Sequence, residues 1–306
     1  TALEHGRFYA EKGRNELEGR YNIGYWPWEL QGWPPEWEQL IHLVDEVWVS
    51  SQHTYESVQP VCQKAKVPLI LMPMAVQVPQ AGRIDSCDRK RAVRSSFNLP
   101  LQSRLFCFSF DLGSSIYRKN PWAILSAFQQ AFSGTVLDVG LVIKVHPPKD
   151  KNSAWESLKE AAFQDPRIHI IEETLSRDRL LELYACCDCF VSLHRAEGFG
   201  RGIAEALQLG LHVICTGYSG NVDFCSPPAA DLVDYSLVPV GKDEYPYGDN
   251  QVWAEPSVDH AAQLMRQFAT QQPKYHENDW AIFQPSVVGA RYRERLVDIF
   301  AKGFRV

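Results

Sequence analysis

Short apolar segments alternate with amphipathic segments along most of the chain, and this alternation predicts an α/β protein with parallel sheets. The apolar segments have the length of buried strands, whereas several amphipathic segments begin at a proline or serine that favours a helix N-terminus. In the first part, the predicted elements are strand 21–29 running into a proline-broken loop, helix 34–44, strand 46–50, a helix from Ser50 or Ser51 to about 63, and strand 67–72.

A second series of the same kind follows a stretch at 72–94 whose prolines and charges predict an interdomain linker. Its predicted elements are strand 105–110, helix 121–132, strand 139–145, helix 153–163, strand 168–171, helix 176–184, strand 189–193, a helix after 200, strand 211–215, a loop-rich stretch, and helices 258–270 and 286–302. We therefore expect two domains, residues 1–79 and 80–306, with residues 1–20 as a helix or an ordered arm.

The segment 189–207 joins an apolar strand to a helix through a turn that contains Gly198, Gly200 and Gly202. Glycine lets the backbone approach a ligand closely, and the first N–H groups of a helix lack intrahelical partners, so the turn favours an anion such as phosphate. Glu197 and Glu205 bracket this turn, and carboxylates accept hydrogen bonds from the hydroxyl groups of a ribose or a sugar. The pattern predicts a ligand with phosphate and polyol parts; a tight turn without a ligand is the alternative.

Composition narrows the class of protein. With 306 residues, of which 45% are hydrophobic, the chain can bury a large core in one or two domains. A net charge of −6 argues against a general nucleic-acid binder, and the chain has no run of about 18 apolar residues that would span a membrane. The first residue is Thr1 and no signal peptide is present, which suggests a piece of a longer cytoplasmic chain.

The eight cysteines include the cluster Cys186-Cys187-Asp188-Cys189, which resembles part of a metal site. No second Cys/His pair stands at a suitable spacing, so we expect buried thiols in a reducing compartment and no metal site.

The sequence Glu197-Gly-Phe-Gly followed by Glu205 resembles the Glu-x7-Glu motif of retaining glycosyltransferase family 4, which has the GT-B fold. Segments 110–121, 141–146, 188–195 and 218–224 resemble the same family in the same order, so the resemblance covers about residues 21–253. It implies two facing Rossmann-like domains with the active site between them. The second domain matches in full, and the first looks truncated by several strands at its start.

The resemblance implies a hexosyltransferase that moves a hexose from a nucleotide-diphosphate sugar to a glycan or lipid-linked acceptor, with retention and without a metal or other cofactor. The subfamily suggests polysaccharide biosynthesis at the inner membrane surface. Lys119 matches the family's phosphate-binding lysine, whereas the usual Gly-Arg pair before it is replaced at 109–111 by Ser-Phe-Asp. Arg118 could supply the missing charge, and Glu197 would hold a donor-sugar hydroxyl. These three residues are the predicted catalytic set.

By the same resemblance, Glu205 would accept both ribose hydroxyls. The full set of predicted donor-binding residues is Glu205, Gly198, Phe199, Gly200, Arg201, Gly202, His194, Ser219 and Asn221. A weaker prediction places four residues on the acceptor side of the cleft, although tryptophans are also common core residues: Trp26, Trp28, Glu29 and His53.

Two other functions stay open. One is a non-catalytic module that binds a nucleotide sugar, and the other is a different GT-B enzyme, such as an epimerase or a phosphorylase. The Glu-x7-Glu turn and the Ser219-Gly-Asn221 segment argue against the second.

Overall fold

The computed structural model describes residues 1–13, 17–79, 83–84, 86–147, 151–271 and 280–303. Its N-terminal unit (residues 1–79) is built on a three-stranded parallel sheet with the order β1-β2-β3. The elements of this unit are α1 (Ala2–Lys12), β1 (Ile23–Tyr25), a 3-10 segment (Pro35–Leu43), β2 (Glu46–Val49), α2 (Gln52–Ala65) and β3 (Leu69–Leu71).

Tryptophan rings fill much of the core of the N-terminal unit. Trp26 stacks on Trp33 with the ring centroids 5.8 Å apart, and Trp28 meets Trp37 edge-on at 5.0 Å. The loops before and after the 3-10 segment therefore pack through large side chains rather than through regular secondary structure.

The C-terminal unit (residues 86–271) is built on a six-stranded parallel sheet with the order β6-β5-β4-β7-β8-β9. Its strands are β4 (Arg104–Asp111), β5 (Val139–His146), β6 (Ile168–Glu172), β7 (Cys189–Ser192), β8 (His212–Thr216) and β9 (Ala230–Val233). Its helices are α3 (Cys87–Ser96), α4 (Ile116–Lys119), α5 (Pro121–Ala131), α6 (Ser153–Phe163), α7 (Arg177–Cys186), α8 (Arg201–Gln208) and α9 (Val258–Thr270). The strand order reverses between β4 and β7, and open α/β sheets bind ligands at the carboxyl ends of the strands at such a switch point.

Two further elements connect the units. An antiparallel hairpin of β10 (Tyr235–Pro239) and β11 (Val252–Pro256) follows β9. Helix α10 (Pro285–Ala301) then returns to the N-terminal unit, where the Tyr292 ring packs edge-on against Trp48 at 5.0 Å and Arg295 pairs with Glu46.

The predicted α/β class with parallel sheets is confirmed, but two local predictions need correction. The stretch 72–94 is not all linker, because Ser86 caps α3 and Val93 is buried against the sheet unit. The loop-rich stretch after 216 contains β9, β10 and β11. For residues 1–20, predicted as a helix or an ordered arm, the structure has a helix at 2–12, since Thr1 and Glu4 make a capping box. The predicted domain boundary at residue 80 lies outside the described residues.

Candidate active site

The candidate site lies at the carboxyl ends of β4 and β7. A loop after β4 leads into the short helix α4, where the Ser115 side chain accepts a hydrogen bond from the Arg118 N–H. The segment after β7 is tied to this helix, because the Arg195 N–H donates to the carbonyl of Arg118 at 2.8 Å. These two contacts bring Arg118 and Lys119 beside Glu197.

Two cations converge on one buried carboxylate. The Lys119 ammonium donates to Glu197 Oε1, and Arg118 Nη1 lies 3.3 Å from Glu197 Oε2 and donates to the Ala196 carbonyl at 2.8 Å. Arg118 is 5% exposed and Glu197 is 8% exposed. Burial alone would raise the pKa of Glu197, but the charges of Lys119 and Arg118 outweigh it and lower that pKa to about 2. Glu197 is therefore ionised at neutral pH.

The N-terminal unit supplies the opposite wall through Glu29. Its Oε1 lies 3.9 Å from Arg118 Nη2, and its Oε2 accepts a hydrogen bond from the Tyr245 hydroxyl at 2.6 Å. Burial and the nearby Glu29 charge raise the pKa of Tyr245, so the phenol keeps its proton and stays a donor. His53 Nε2 lies 2.8 Å from the backbone carbonyl of Glu29, which fixes the loop.

A cavity of about 330 Å³ opens between this wall and the loop after β4. The Nε of Arg118 is buried and has no hydrogen-bond partner among the described residues. The cavity combines four aromatic rings with hydroxyls and charged groups, and its lining includes Trp28, Glu29, Trp37, Ser114, Ser115, Arg118, Tyr245 and Tyr247.

Two glycines near the turn are required by contacts between backbones. A Cβ atom on Gly220 would lie 2.3 Å from the Gly198 carbonyl oxygen, and one on Gly198 would lie 3.0 Å from the Trp28 carbonyl oxygen. The Ser51 hydroxyl also donates to the Gly198 carbonyl at 2.5 Å. The N-terminal unit thus packs directly on the turn, and these glycines have a structural reason apart from any ligand.

The end of the turn, at Gly200, differs from Gly198 in its role. Gly200 has φ of 92° and starts α8 without a side-chain cap. The N–H groups of the first turn of α8, which includes Arg201 and Gly202, therefore keep the arrangement that favours an anion. Phe199 is 5% exposed and packs against Phe224 with centroids 5.1 Å apart, so its side chain anchors the turn.

Glu205 lies on α8 and is 3% exposed. Its Oε1 accepts a hydrogen bond from Arg177 Nη1 at 2.7 Å, and Arg177 also donates to the Gln77 carbonyl at 2.9 Å. Arg201 is exposed, and its guanidinium lies 3.1 Å from the Met74 sulfur. Glu205 and Arg201 thus belong to the α8 side of the site, apart from the cluster around Glu197.

His194, Ser219 and Asn221 are placed behind the turn. Nε2 of the fully buried His194 lies 2.9 Å from Asn221 Oδ1, and Nδ1 lies 3.0 Å from the Ser192 hydroxyl. Burial lowers the pKa of His194, which favours the neutral imidazole. The Ser219 hydroxyl accepts the Glu197 N–H at 2.8 Å. These contacts hold Glu197 in position.

The structure also separates the predicted acceptor-side residues. Trp28 and Glu29 line the cavity, whereas Trp26 is 2% exposed inside the core of the N-terminal unit. Tyr245 and Arg177 join the site although sequence reasoning missed both. Tyr245 lies in a stretch rich in proline and glycine that gave no chemical signal.

All eight cysteines are free, and among the residues that the structure describes there is no group of three or more His, Cys, Asp or Glu arranged for a metal ion. Within the same residues, no helix is both long enough and apolar enough to cross a membrane.

Two parallel-sheet units, with the second in the order β6-β5-β4-β7-β8-β9 and the first packed on its switch point, form the GT-B fold predicted from the sequence. Residues 110–228 match the family described as glycosyl transferases group 1, and this segment contains Arg118, Lys119, Glu197 and Glu205. No curated protein matches the chain significantly.

Solved structures with a similar fold include α,α-trehalose 6-phosphate synthase from Burkholderia multivorans, at 11% identity and a TM-score of 0.63 over 90% of this chain and 66% of that chain. HepE from Anabaena, solved in complex with UDP and glucose, is 13% identical with a TM-score of 0.62 over 90% of this chain and 71% of that one. WaaG, a glycosyltransferase involved in lipopolysaccharide biosynthesis, is 14% identical with a TM-score of 0.57 over 88% of this chain and 75% of that one. The chain thus spans less than two thirds of the length of the trehalose-phosphate synthase.

Proposed function

We propose that the chain is a retaining, metal-independent glycosyltransferase of family 4 that transfers a hexose from a nucleotide-diphosphate sugar to a glycan or lipid-linked acceptor in polysaccharide biosynthesis. One observation carries the proposal: Arg118 and Lys119 converge on the buried, ionised Glu197 at the switch point of the sheet. The family match over 110–228 supports the reaction class, and UDP with glucose in the HepE complex supports the donor class.

The chemistry follows from the charges. Cleavage of the bond between the sugar and the phosphate leaves a diphosphate with more negative charge than the bound donor had, and donors already in place stabilise that charge. Lys119, Arg118 with its unpartnered Nε, and the first N–H groups of α8 are such donors. We propose that the Lys119 ammonium shifts from Glu197 toward the phosphate when the donor binds.

Glu197 has a different role in this proposal. Because its pKa is about 2, it has no proton to donate at neutral pH. It accepts a hydrogen bond from a donor-sugar hydroxyl, and its charge favours positive charge at the anomeric carbon. The acceptor oxygen bonds to that carbon as the phosphate departs from the same face, and the leaving phosphate oxygen takes the acceptor proton.

Glu205 is proposed to accept hydrogen bonds from the two ribose hydroxyls. It is buried on the first turns of α8, and Arg177 holds one of its oxygens at 2.7 Å. The proposed location is the cytoplasm, which the eight free cysteines support, with the inner membrane surface as the site of a lipid-linked acceptor.

The experiment is a calorimetric titration of the chain with UDP, GDP, dTDP, ADP and their sugars, repeated on Lys119→Ala and Glu205→Ala. We expect saturable binding of one nucleotide, lost in both variants and retained in Lys64→Ala, whose amine lies on the surface of α2. If the unsubstituted chain binds none of these ligands, the proposal is wrong.

A second assay separates an enzyme from a binding module. The nucleotide sugar that binds is incubated with glycan and lipid-linked acceptors, and release of the nucleoside diphosphate is followed with time. Release that depends on the acceptor supports transfer. Tight binding of the nucleotide sugar without release in the presence of any acceptor favours the non-catalytic module.

A further inference from the structure

Lys144 is a largely buried lysine of the C-terminal unit that has no role in the proposed mechanism. It lies two residues before the carboxyl end of β5, next to the strand that leads into α4, and it is 7% exposed. Among the described residues its ammonium makes no hydrogen bond and no ion pair within 4.0 Å, and its nitrogen is not among the fully enclosed polar atoms that lack a partner. The stem of Lys144 is therefore buried while its charged end reaches solvent, which leaves the charge free to bind an anionic group.

The other buried cations of the C-terminal unit differ in this respect. Arg94 donates to the carbonyls of Cys186 and Ser103, each at 2.8 Å, and pairs with Asp188. Arg118 is paired with Glu197. Arg94 and Arg118 thus each have an ion-pair partner in the folded chain, whereas Lys144 has none.

The surroundings of Lys144 connect it to the start of α8. Ser109 is its direct neighbour on β4, so the two side chains leave the same face of the sheet. The Ser109 hydroxyl contacts the Tyr184 hydroxyl of α7, and a Cβ atom on Gly202 would lie 3.7 Å from that same hydroxyl. Ser109 and Tyr184 therefore link the position of Lys144 on β5 to the first turn of α8.

We propose that Lys144 binds a phosphate group of the donor's diphosphate, together with the N–H groups at the start of α8. This inference rests on the proposed function and adds a third cation to the site, on the β5 side, opposite Lys119 and Arg118. It assigns the phosphate contact to a strand residue rather than to the loop after β4.

Two carboxylates are the alternative partners. Asp111 and Glu173 are near enough to act on the charge of Lys144, but neither is in ion-pair contact with it. Asp111 Oδ1 accepts the Gly113 N–H at 2.7 Å, which orients this carboxylate toward its own loop. If these carboxylates were the reason for Lys144, its loss would affect folding and leave ligand binding unchanged.

The test compares Lys144→Met and Lys144→Gln with the unsubstituted chain and with Lys64→Met, an exposed lysine paired with Glu38. Calorimetry measures the dissociation constants of UDP, GDP, dTDP and ADP and of the corresponding nucleosides, and thermal unfolding is followed in parallel. We expect both Lys144 variants to bind the nucleoside diphosphate roughly 10- to 100-fold more weakly, the effect of losing a charged hydrogen bond. Nucleoside binding should stay unchanged in both variants. The melting temperature without ligand should stay unchanged in Lys144→Gln and stay unchanged or rise in Lys144→Met.

The outcomes separate this inference from the proposed function. If the unsubstituted chain binds a nucleoside diphosphate and both Lys144 variants bind it equally well, only the role of Lys144 is wrong. If the variants weaken binding of the nucleoside as much as binding of the nucleoside diphosphate, Lys144 contacts the base or ribose and the phosphate assignment is wrong. If no nucleotide binds to the unsubstituted chain, the proposed function and the role of Lys144 are both wrong.

Discussion

Glu46 and Glu197 are both buried carboxylates paired with arginine, one in each unit. Glu46 is fully buried and accepts hydrogen bonds from Trp48 Nε1 at 2.5 Å, from the Tyr21 hydroxyl at 3.0 Å and from Arg295 Nε at 2.9 Å. These donors come from β2, from the segment before β1 and from α10. One carboxylate balances one guanidinium, and the contacts join three parts of the chain.

Glu197 is surrounded differently. Two cations, Arg118 and Lys119, share its single charge, and Arg118 lines a cavity. A single ion pair with neutral donors around it has the features of a structural contact, whereas two cations that share one carboxylate beside open space have the features of a ligand site. The comparison predicts that changes at Glu46 act on stability and changes at Glu197 act on function.

The largest expected effect is that of Glu46→Ala on folding. The substitution leaves the Arg295 guanidinium and the Trp48 N–H without their acceptor, so we expect a loss of about 3 kcal/mol in the free energy of unfolding. Urea unfolding at pH 7 measures it. Glu38→Ala is the control, because it removes an exposed ion pair with Lys64 and should cost less than about 1 kcal/mol. Equal costs for the two variants would contradict the structural role of Glu46.

The second effect is that of Glu197→Gln on the transfer rate. The amide keeps the shape of the side chain but loses the charge that favours positive charge at the anomeric carbon, so we expect kcat to fall roughly 100-fold. The dissociation constant of the nucleoside diphosphate, which lacks the sugar, should change less than about threefold. If kcat stays unchanged and the nucleoside diphosphate binds more weakly, Glu197 contacts the nucleotide instead of the sugar.

A smaller effect is expected for Glu205→Ala, roughly a 10-fold weaker binding of the nucleoside, because a charged acceptor for the ribose hydroxyls is lost. Calorimetry with the nucleoside and with the nucleoside diphosphate measures it. Glu182→Ala on the neighbouring helix α7, where Glu182 pairs with Arg179 at 2.7 Å, is the control and should bind as the unsubstituted chain does. If Glu205→Ala lowers only the melting temperature, the carboxylate serves just to hold Arg177.

Local signals in the sequence predicted much of the fold. Ser51 and Ser176 cap the helices that they were expected to cap, and helix 153–163 has the predicted bounds. Helix α3 was missed because its buried residues are Val93 and Arg94 alone, and the burial of Arg94 depends on carbonyls far along the chain. Helix caps depend on side chains that are close in sequence, whereas a helix such as α3 depends on contacts with residues far along the chain.

The candidate site was predicted in part for the same reason. Lys119, Glu197 and Glu205 stand in motifs that the sequence displays, but their partners come from other elements. Tyr245 reaches Glu29 from a loop after β10, and Arg177 reaches Glu205 from α7. The strand order that brings β4 beside β7 depends on tertiary packing, so no local pattern shows it.

The smallest expected effect concerns the pH dependence of the free energy of unfolding, and it isolates the contribution of Glu197. Its folded pKa, about 2, lies below the ordinary value of 4.5, so its ionised form stabilises the fold above pH 4.5 and this contribution is lost as the pH falls toward 2. Between pH 7 and pH 4 the loss from this group alone amounts to about 1 kcal/mol. Urea unfolding of the unsubstituted chain and of Glu197→Gln at both pH values measures it. The other groups cancel in the comparison, so the unsubstituted chain should lose about 1 kcal/mol more than Glu197→Gln; equal losses would mean that Lys119 and Arg118 do not stabilise the ionised carboxylate.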